Sequence, residues 1–260
     1  MKRRNILGGL LAGIAVLDSY RGAPRAKARE PKPVQLEVIA STLEDAVAAH
    51  EGGAARLEVA VYLDHGGLTP PSAMIEQITR RVPIPARAML RANEGFVLTG
   101  KSELEKLIAQ AQALAPMGIE GFITGHIKAG KLDFETLGRL VAAVPGAKFT
   151  IHNAIEMTQA PLEALRALKG FPTVDRALVT GGNGSLPRRA ERVTAYEQAI
   201  GPGRRIVLGG LRLQDIPQLR SSTDVSIFHV GLAVRTPQVP EGAVDVEKVR
   251  EARRLLQSSS

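Results

Sequence analysis

The chain has 260 residues, 44% of them hydrophobic, enough for one large domain or two small ones with a full core. It has no Cys, no Trp and only 3% aromatics, which excludes disulfides, thiolate metal sites and thiol nucleophiles and leaves Leu, Ile, Val and Ala to fill the interior. Of the net charge of +8, Lys2, Arg3, Arg4, Arg21, Arg25 and Lys27 against Asp18 place +5 in the first 28 residues, and the remaining +3, with no basic run interleaved with aromatics, is no footprint for nucleic acid.

The first 28 residues read as an address. Lys2-Arg3-Arg4 is a short basic region, Ile6 to Leu17 (ILGGLLAGIAVL) is an apolar run, and Ala26-Lys27-Ala28 fits a small-residue cleavage site. The Arg3-Arg4 pair suggests the twin-arginine route. The expectation is a signal peptide over 1–28 and an exported, periplasmic protein that meets the membrane only transiently. The alternative is an uncleaved N-terminal anchor, although the run falls short of the roughly 20 apolar residues that a span needs.

From Val34 onward, short β-branched runs alternate with amphipathic segments. Strands are expected at 34–40, 56–60, 86–91, 121–125, 148–154, 176–181, 205–210 and 225–231. The first helix, 42–50, carries Glu44 and Asp45 in its first turn, where the dipole favours them. The second, 72–81, has Ser72 as its expected N-cap, and the third, 102–117, has Ser102 with Glu105 at capping-box spacing. Helices at 133–144, 161–169, 188–200, 214–220 and 246–257 complete the series, with a Pro- and Gly-rich loop from Thr236 to Ala243. Eight β-α repeats over 34–257 predict a parallel sheet closed into a single (β/α)8 TIM-like barrel. An open doubly wound sheet would carry a Gly-rich phosphate turn after the first strand, where this chain has Ile39-Ala40-Ser41-Thr42.

Functional groups of such barrels sit at the C-terminal ends of the strands. Glu37 and Glu58 lie in otherwise apolar strands, where an unpaired carboxylate is costly. Arg91, His152, Thr180, Gly209, Gly210 and His229 each fall at or near a strand end. The expectation is that Glu37, Glu58, Arg91, His152 and His229 converge on one pocket. Glu37, Glu58, His152 and His229 are the candidate catalytic groups. Arg91, Thr180, Gly209 and Gly210 are candidates for binding, the glycines by close backbone approach to an anion. Glu37 and Glu58 also read as members of a structural ion pair, with Arg91 as its cation. Thr180 also reads as a backbone-bonded hydroxyl.

These stretches carry a family pattern. Leu36-Glu37-Val38 is followed by Gly52-Gly53-Ala54-Ala55-Arg56-Leu57-Glu58-Val59, then by Gly66-Gly67-Leu68-Thr69-Pro70-Pro71-Ser72. Pro83-Ile84-Pro85, Leu90-Arg91, Thr150-Ile151-His152 and Leu178-Val179-Thr180-Gly181 extend it. Together they resemble the copper homeostasis protein CutC family across most of 34–231. The resemblance implies a TIM-like barrel, a homo-oligomer and a role in copper homeostasis. The chain departs from the family at several points. Ile39 and Ala60 stand where the family often has Cys, Ala92-Asn93-Glu94-Gly95 replaces Pro-Arg-Gly-Gly-Asp, and Asn153-Ala154-Ile155-Glu156 replaces Arg-Ala-Phe-Asp.

The cofactor stays open. Copper follows from the family name, but a tight Cu(I) site favours sulfur, and Met89 and Met157 are the only methionines near strand ends. No His-x-His or His-x-x-x-His spacing marks a metal site. The alternative is an enzyme of lyase or isomerase type acting on a small oxygenated anion, with Arg91 holding the anion, His152 as general acid or base near its ordinary pKa and a carboxylate orienting it. A Schiff-base aldolase does not fit, because strand six ends in Thr180 without a lysine. A non-catalytic scaffold is the third class.

Overall fold

The structure, a computed structural model, describes residues 33–258, so the expected signal peptide lies outside the described residues. Eight parallel strands form a closed barrel: β1 (Gln35–Ala40), β2 (Arg56–Val59), β3 (Ala86–Met89), β4 (Gly121–Thr124), β5 (Lys148–Ile151), β6 (Val174–Val179), β7 (Arg205–Leu208) and β8 (Ile227–Val230), which returns to β1. The helices between them are α1 (Leu43–Glu51), α2 (Ser72–Arg81), α3 (Lys101–Leu114), α4 (Phe134–Ala143), α5 (Pro161–Ala167), α6 (Leu186–Ile200) and α7 (Ile216–Ser222), and α8 (Val246–Gln257) follows β8. The (β/α)8 architecture expected from the alternation is the one observed.

Period-two alternation sorts the strand side chains into two environments. Leu36, Val38 and Ala40 of β1, Leu57 and Val59 of β2, and Phe228 and Val230 of β8 join the helices in one continuous apolar core. The alternate positions face the barrel axis. There Ala60, Met89 and Ile123 form a small separate apolar cluster with Ile39 and Leu63 against it, and the charged strand residues described below occupy the rest.

Local chemistry corrects several boundaries. The third strand stops at Met89 rather than Arg91, because the Arg91 N–H leaves the ladder for the Thr69 hydroxyl at 2.9 Å. Ser72 is the first helical residue, with Pro71 before it as the cap. Ser102 lies inside α3; the Glu103 carboxylate instead accepts from the Thr99 N–H at 2.6 Å and hydroxyl at 3.1 Å. Asp133 and Asp245 cap α4 and α8 by accepting first-turn N–H bonds. Two small hairpins were not expected. Ile127–Lys128 pairs with Lys131–Leu132, and Arg235–Thr236 pairs with Ala243–Val244, closing the expected Pro- and Gly-rich loop.

Candidate functional site

The lower part of the barrel interior is an ion-pair network. Arg87, fully buried on β3, donates to both carboxylate oxygens of Asp175 at 2.7 and 2.9 Å, to Glu120 at 2.9 Å and to the Thr150 hydroxyl at 2.6 Å. Arg56 pairs with Glu37 at 3.3 Å and with Glu120, and Arg176 reaches Glu120 at 3.4 Å. Burial pushes the Glu120 carboxyl up, but the Arg56 hydrogen bond and the charges of Arg87, Arg56 and Arg176 outweigh it and bring its pKa down to about 2. A buried guanidinium is tolerated only when its charge and donors are met, and here they are. Arg87, Glu120, Asp175 and Arg176 escaped the sequence reading, which looked only at the C-terminal strand ends. The available signal was an arginine inside each of two apolar strands, Ala86–Met89 and Val174–Val179.

Above this floor sit Glu37, His229 and Glu58. Barrel closure pairs β1 with β8 in a register that sets Glu37 beside His229, and β1 with β2 so that Ile39 lies beside Glu58. His229 Nδ1 is 3.2 Å from Glu37 Oε1 and 3.8 Å from Glu58 Oε2. Burial pulls the His229 pKa down, but Glu58 and Glu37 together raise it, and the ring Nδ1 makes a hydrogen bond with Glu37. Burial also works against ionised Glu37, yet the His229 hydrogen bond and charge, with Arg56 and Arg176 behind, lower its pKa to about 2. Glu58 has less help. Burial, only partly offset by His229 and reinforced by Glu37, pushes it up to about 7. Its Oε2 is buried without a hydrogen-bond partner.

A cavity of about 260 Å³ opens at the C-terminal mouth. Glu58 and His229 line it, as do Arg91, His152, Thr180, Gly209 and Gly210. Of the eight expected site residues, Glu37 is the one that lies beneath the lining, where it holds His229 rather than facing the cavity.

Arg91 is not free to grip a ligand with its planar fork. Its NH1 donates to the Gly66 carbonyl at 2.7 Å, NH2 to that of Glu94 and Nε to that of Gly95 at 3.4 Å, tying the loop after β2 to the loop after β3. Gly66 has φ +79°, and a Cβ there would stand 2.9 Å from the guanidinium, so glycine serves both the turn and the close approach. The Phe96 ring lies 5.0 Å from the Arg91 guanidinium carbon. Burial lowers the Arg91 pKa and the Glu94 charge only partly offsets it; among the described residues no carboxylate comes within ion-pair distance of the guanidinium.

His152 does not have the near-neutral pKa expected of a general base. Burial first, then the charges of Arg91 and His126, lower it to about 3. Its Nδ1 accepts the Ala154 N–H at 3.1 Å, which leaves the proton on Nε2. That Nε2 is buried with no partner, a deficit worth about 1–3 kcal/mol. Thr180 is likewise engaged. Its hydroxyl and N–H donate to Glu156 at 2.9 and 2.7 Å, and Gly181 N–H donates to the same carboxylate. Gly209 and Gly210 turn their carbonyls toward Arg189, at 3.2 and 3.1 Å, not toward the cavity. Glu156 and Arg189 thus brace this side of the mouth, and their spacing in the chain gave no signal of it.

These features define a TIM-barrel protein with a charged cavity at the C-terminal mouth of its strands. The chain belongs to the CutC family, whose family model matches residues 34–234. A CutC family protein of Xylella fastidiosa is 30% identical over 85% of this chain and 88% of its own. The human copper homeostasis protein cutC homolog is 28% identical over 87% of this chain and 90% of its own. Among solved structures, CutC from Streptococcus agalactiae superposes with a TM-score of 0.70 at 19% identity, over 76% of this chain and 98% of that one.

Proposed function

We propose that the chain serves copper homeostasis and meets the metal as Cu(II), at Glu37, Glu58 and His229. Family membership and the printed role of the human relative support the first part. The donor chemistry supports the second. Each of the three residues offers one ligand atom, and these atoms lie within 4.8 Å of one another. Carboxylate oxygen and imidazole nitrogen suit Cu(II), whereas Cu(I) selects sulfur. Where the family pattern often places thiols, Ile39 and Ala60 belong to an apolar cluster with Met89 and Ile123. The observation that carries the reading is Glu58 Oε2, a buried carboxylate oxygen in this cluster that has no hydrogen-bond partner and reaches His229 only at 3.8 Å.

The leader expected over 1–28 fits this assignment, since Cu(II) is the form copper takes in an oxidising compartment outside the cytoplasm; the lack of Cys is compatible with either compartment. A homo-oligomer is proposed with it, on the family resemblance. Titration of chelator-treated protein with Cu(II) and Cu(I), followed by calorimetry and electron paramagnetic resonance, tests the metal reading. We expect Cu(II) binding that strengthens from pH 6 to pH 8, because the metal must displace protons from His229 and Glu58. Glu58→Gln and His229→Gln are each expected to weaken it by about tenfold or more, as loss of a ligand does. A chain with no measurable Cu(II) affinity, or one indifferent to both substitutions, defeats the proposal.

An acid–base enzyme of lyase or isomerase type is the second reading. One observation favours it: a Glu58 carboxyl with a pKa of about 7 facing a molecule-sized cavity, the value a general acid or base needs.

A further inference from the structure

We propose that the mouth cavity receives a small hydroxycarboxylate, whose carboxylate accepts the Nε2–H of His152 and lies beside the Arg91 guanidinium, which has no direct ion-pair partner among the described residues. Two independent deficits point there. The first is directional. The Ala154 N–H fixes His152 as the tautomer with its proton on Nε2, and this buried donor finds no acceptor in the protein. The second is one of charge. Arg91 is 6% exposed, all of its bonded acceptors are neutral backbone carbonyls, and the neighbouring Glu94 carboxylate pairs with His65 instead. A buried cation bonded only to neutral carbonyls, with the Glu94 charge near but not in contact, and a buried N–H without an acceptor are complementary to an anion that brings an oxygen.

Size and polarity narrow the class. The cavity of about 260 Å³ exceeds the roughly 150 Å³ that holds benzene but lies below the usual range of drug-sized pockets, so it admits a molecule of a few carbons. Across the ring from β5, Glu58 Oε2, which has no hydrogen-bond partner, offers an acceptor for a hydroxyl. A dianionic phosphate would set its second charge against Glu58 and Glu37, whereas a carboxylate brings a single charge to the single guanidinium of the lining. The Phe96 ring packs on both groups, its centroid 5.3 Å from that of His152 and 5.0 Å from the Arg91 guanidinium carbon.

The inference is separable from the copper reading, because its test uses metal-free protein. Chelator-treated full chain is titrated by calorimetry with glycolate, lactate and glycerate, and with propionate and inorganic phosphate as comparators. We expect the hydroxy acids to bind, and propionate and phosphate to bind at least tenfold more weakly. His152→Phe keeps the ring packing and removes the donor, and is expected to weaken binding at least tenfold. His152→Gln, which restores a side-chain N–H, is expected to recover most of the loss. In the wild type, the His152 ring ¹⁵N–¹H signal should shift on adding lactate, a readout that stands even where a variant fails to fold. Absence of hydroxy-acid binding to the metal-free protein overturns the proposal. So does phosphate binding as tight as lactate binding, or a His152 signal that ligand leaves unmoved.

Discussion

The floor and the mouth of this barrel are built from the same residue types and treat charge in opposite ways. On the floor, Arg56, Arg87 and Arg176 interlock with Glu120 and Asp175, Arg56 also reaches Glu37 above, and every one of these groups has an ionic partner. At the mouth, Glu58 Oε2 and His152 Nε2 have no hydrogen-bond partner, and Arg91 bonds only to neutral carbonyls. A satisfied network rigidifies and specifies a fold, whereas an unsatisfied buried group is tolerated where something outside the chain completes it. The contrast separates the part of the interior that holds the barrel together from the part available for a ligand.

The sharpest way to break this comparison is to open the floor. Arg87→Met leaves Asp175, Glu120 and Thr150 without their central donor, and breaking a buried ionic network from one side costs about 3–5 kcal/mol. Urea denaturation should show that loss, and a variant as stable as the wild type would deny the floor its structural role. Next in size is the pH profile, in which the two regions have opposite signs. Glu58 is raised from 4.5 to about 7, so its contribution is full below pH 4.5 and is lost as pH rises through about 7. At about 1.4 kcal/mol per pKa unit this amounts to about 3 kcal/mol. Glu120 is lowered from 4.5 to about 2, so its contribution is present above pH 4.5 and is lost as pH falls through about 2. Glu58→Gln should therefore flatten the neutral limb of stability between pH 4.5 and 7 and leave the acid limb in place. Unfolding free energies measured from pH 2 to pH 8 check both, and parallel profiles for wild type and variant would refute the assignment. The smallest effect belongs to the rim. His65 and Glu94 form an ion pair with side chains 45% and 68% exposed, and Glu94→Gln should shift stability by less than about 1 kcal/mol.

Much of the architecture was legible in the chain. The alternation of β-branched runs with amphipathic segments identified all eight barrel strands and their helices, because the two periods are local properties of the backbone. The stretches around Glu37, Glu58, Gly66, Arg91, His152 and Thr180 pointed to the family when taken together. Strand ends were less legible. Arg91 left the β3 ladder for Thr69, 22 residues earlier in the chain, and no local pattern announces such a partner. The floor was less legible still, since Arg87 meets Glu120 and Asp175 at sequence separations of 33 and 88. The roles of His152 and Arg91 turned on their second neighbours, the Ala154 N–H and the carbonyls of Gly66, Glu94 and Gly95, which residue type does not disclose.

The sequence by itself determined that this protein is a closed barrel with charged groups at its strand ends, since hydrophobic period and turn chemistry act over a few residues. Only the tertiary structure decided which charges are matched. Glu37 meets His229 across 192 residues because closure sets β1 against β8, and burial within that ring then divides two similar carboxyls, bringing Glu37 down to about 2 and Glu58 up to about 7. Electrostatic fate depends on distance and desolvation, and both exist only once the ring has closed.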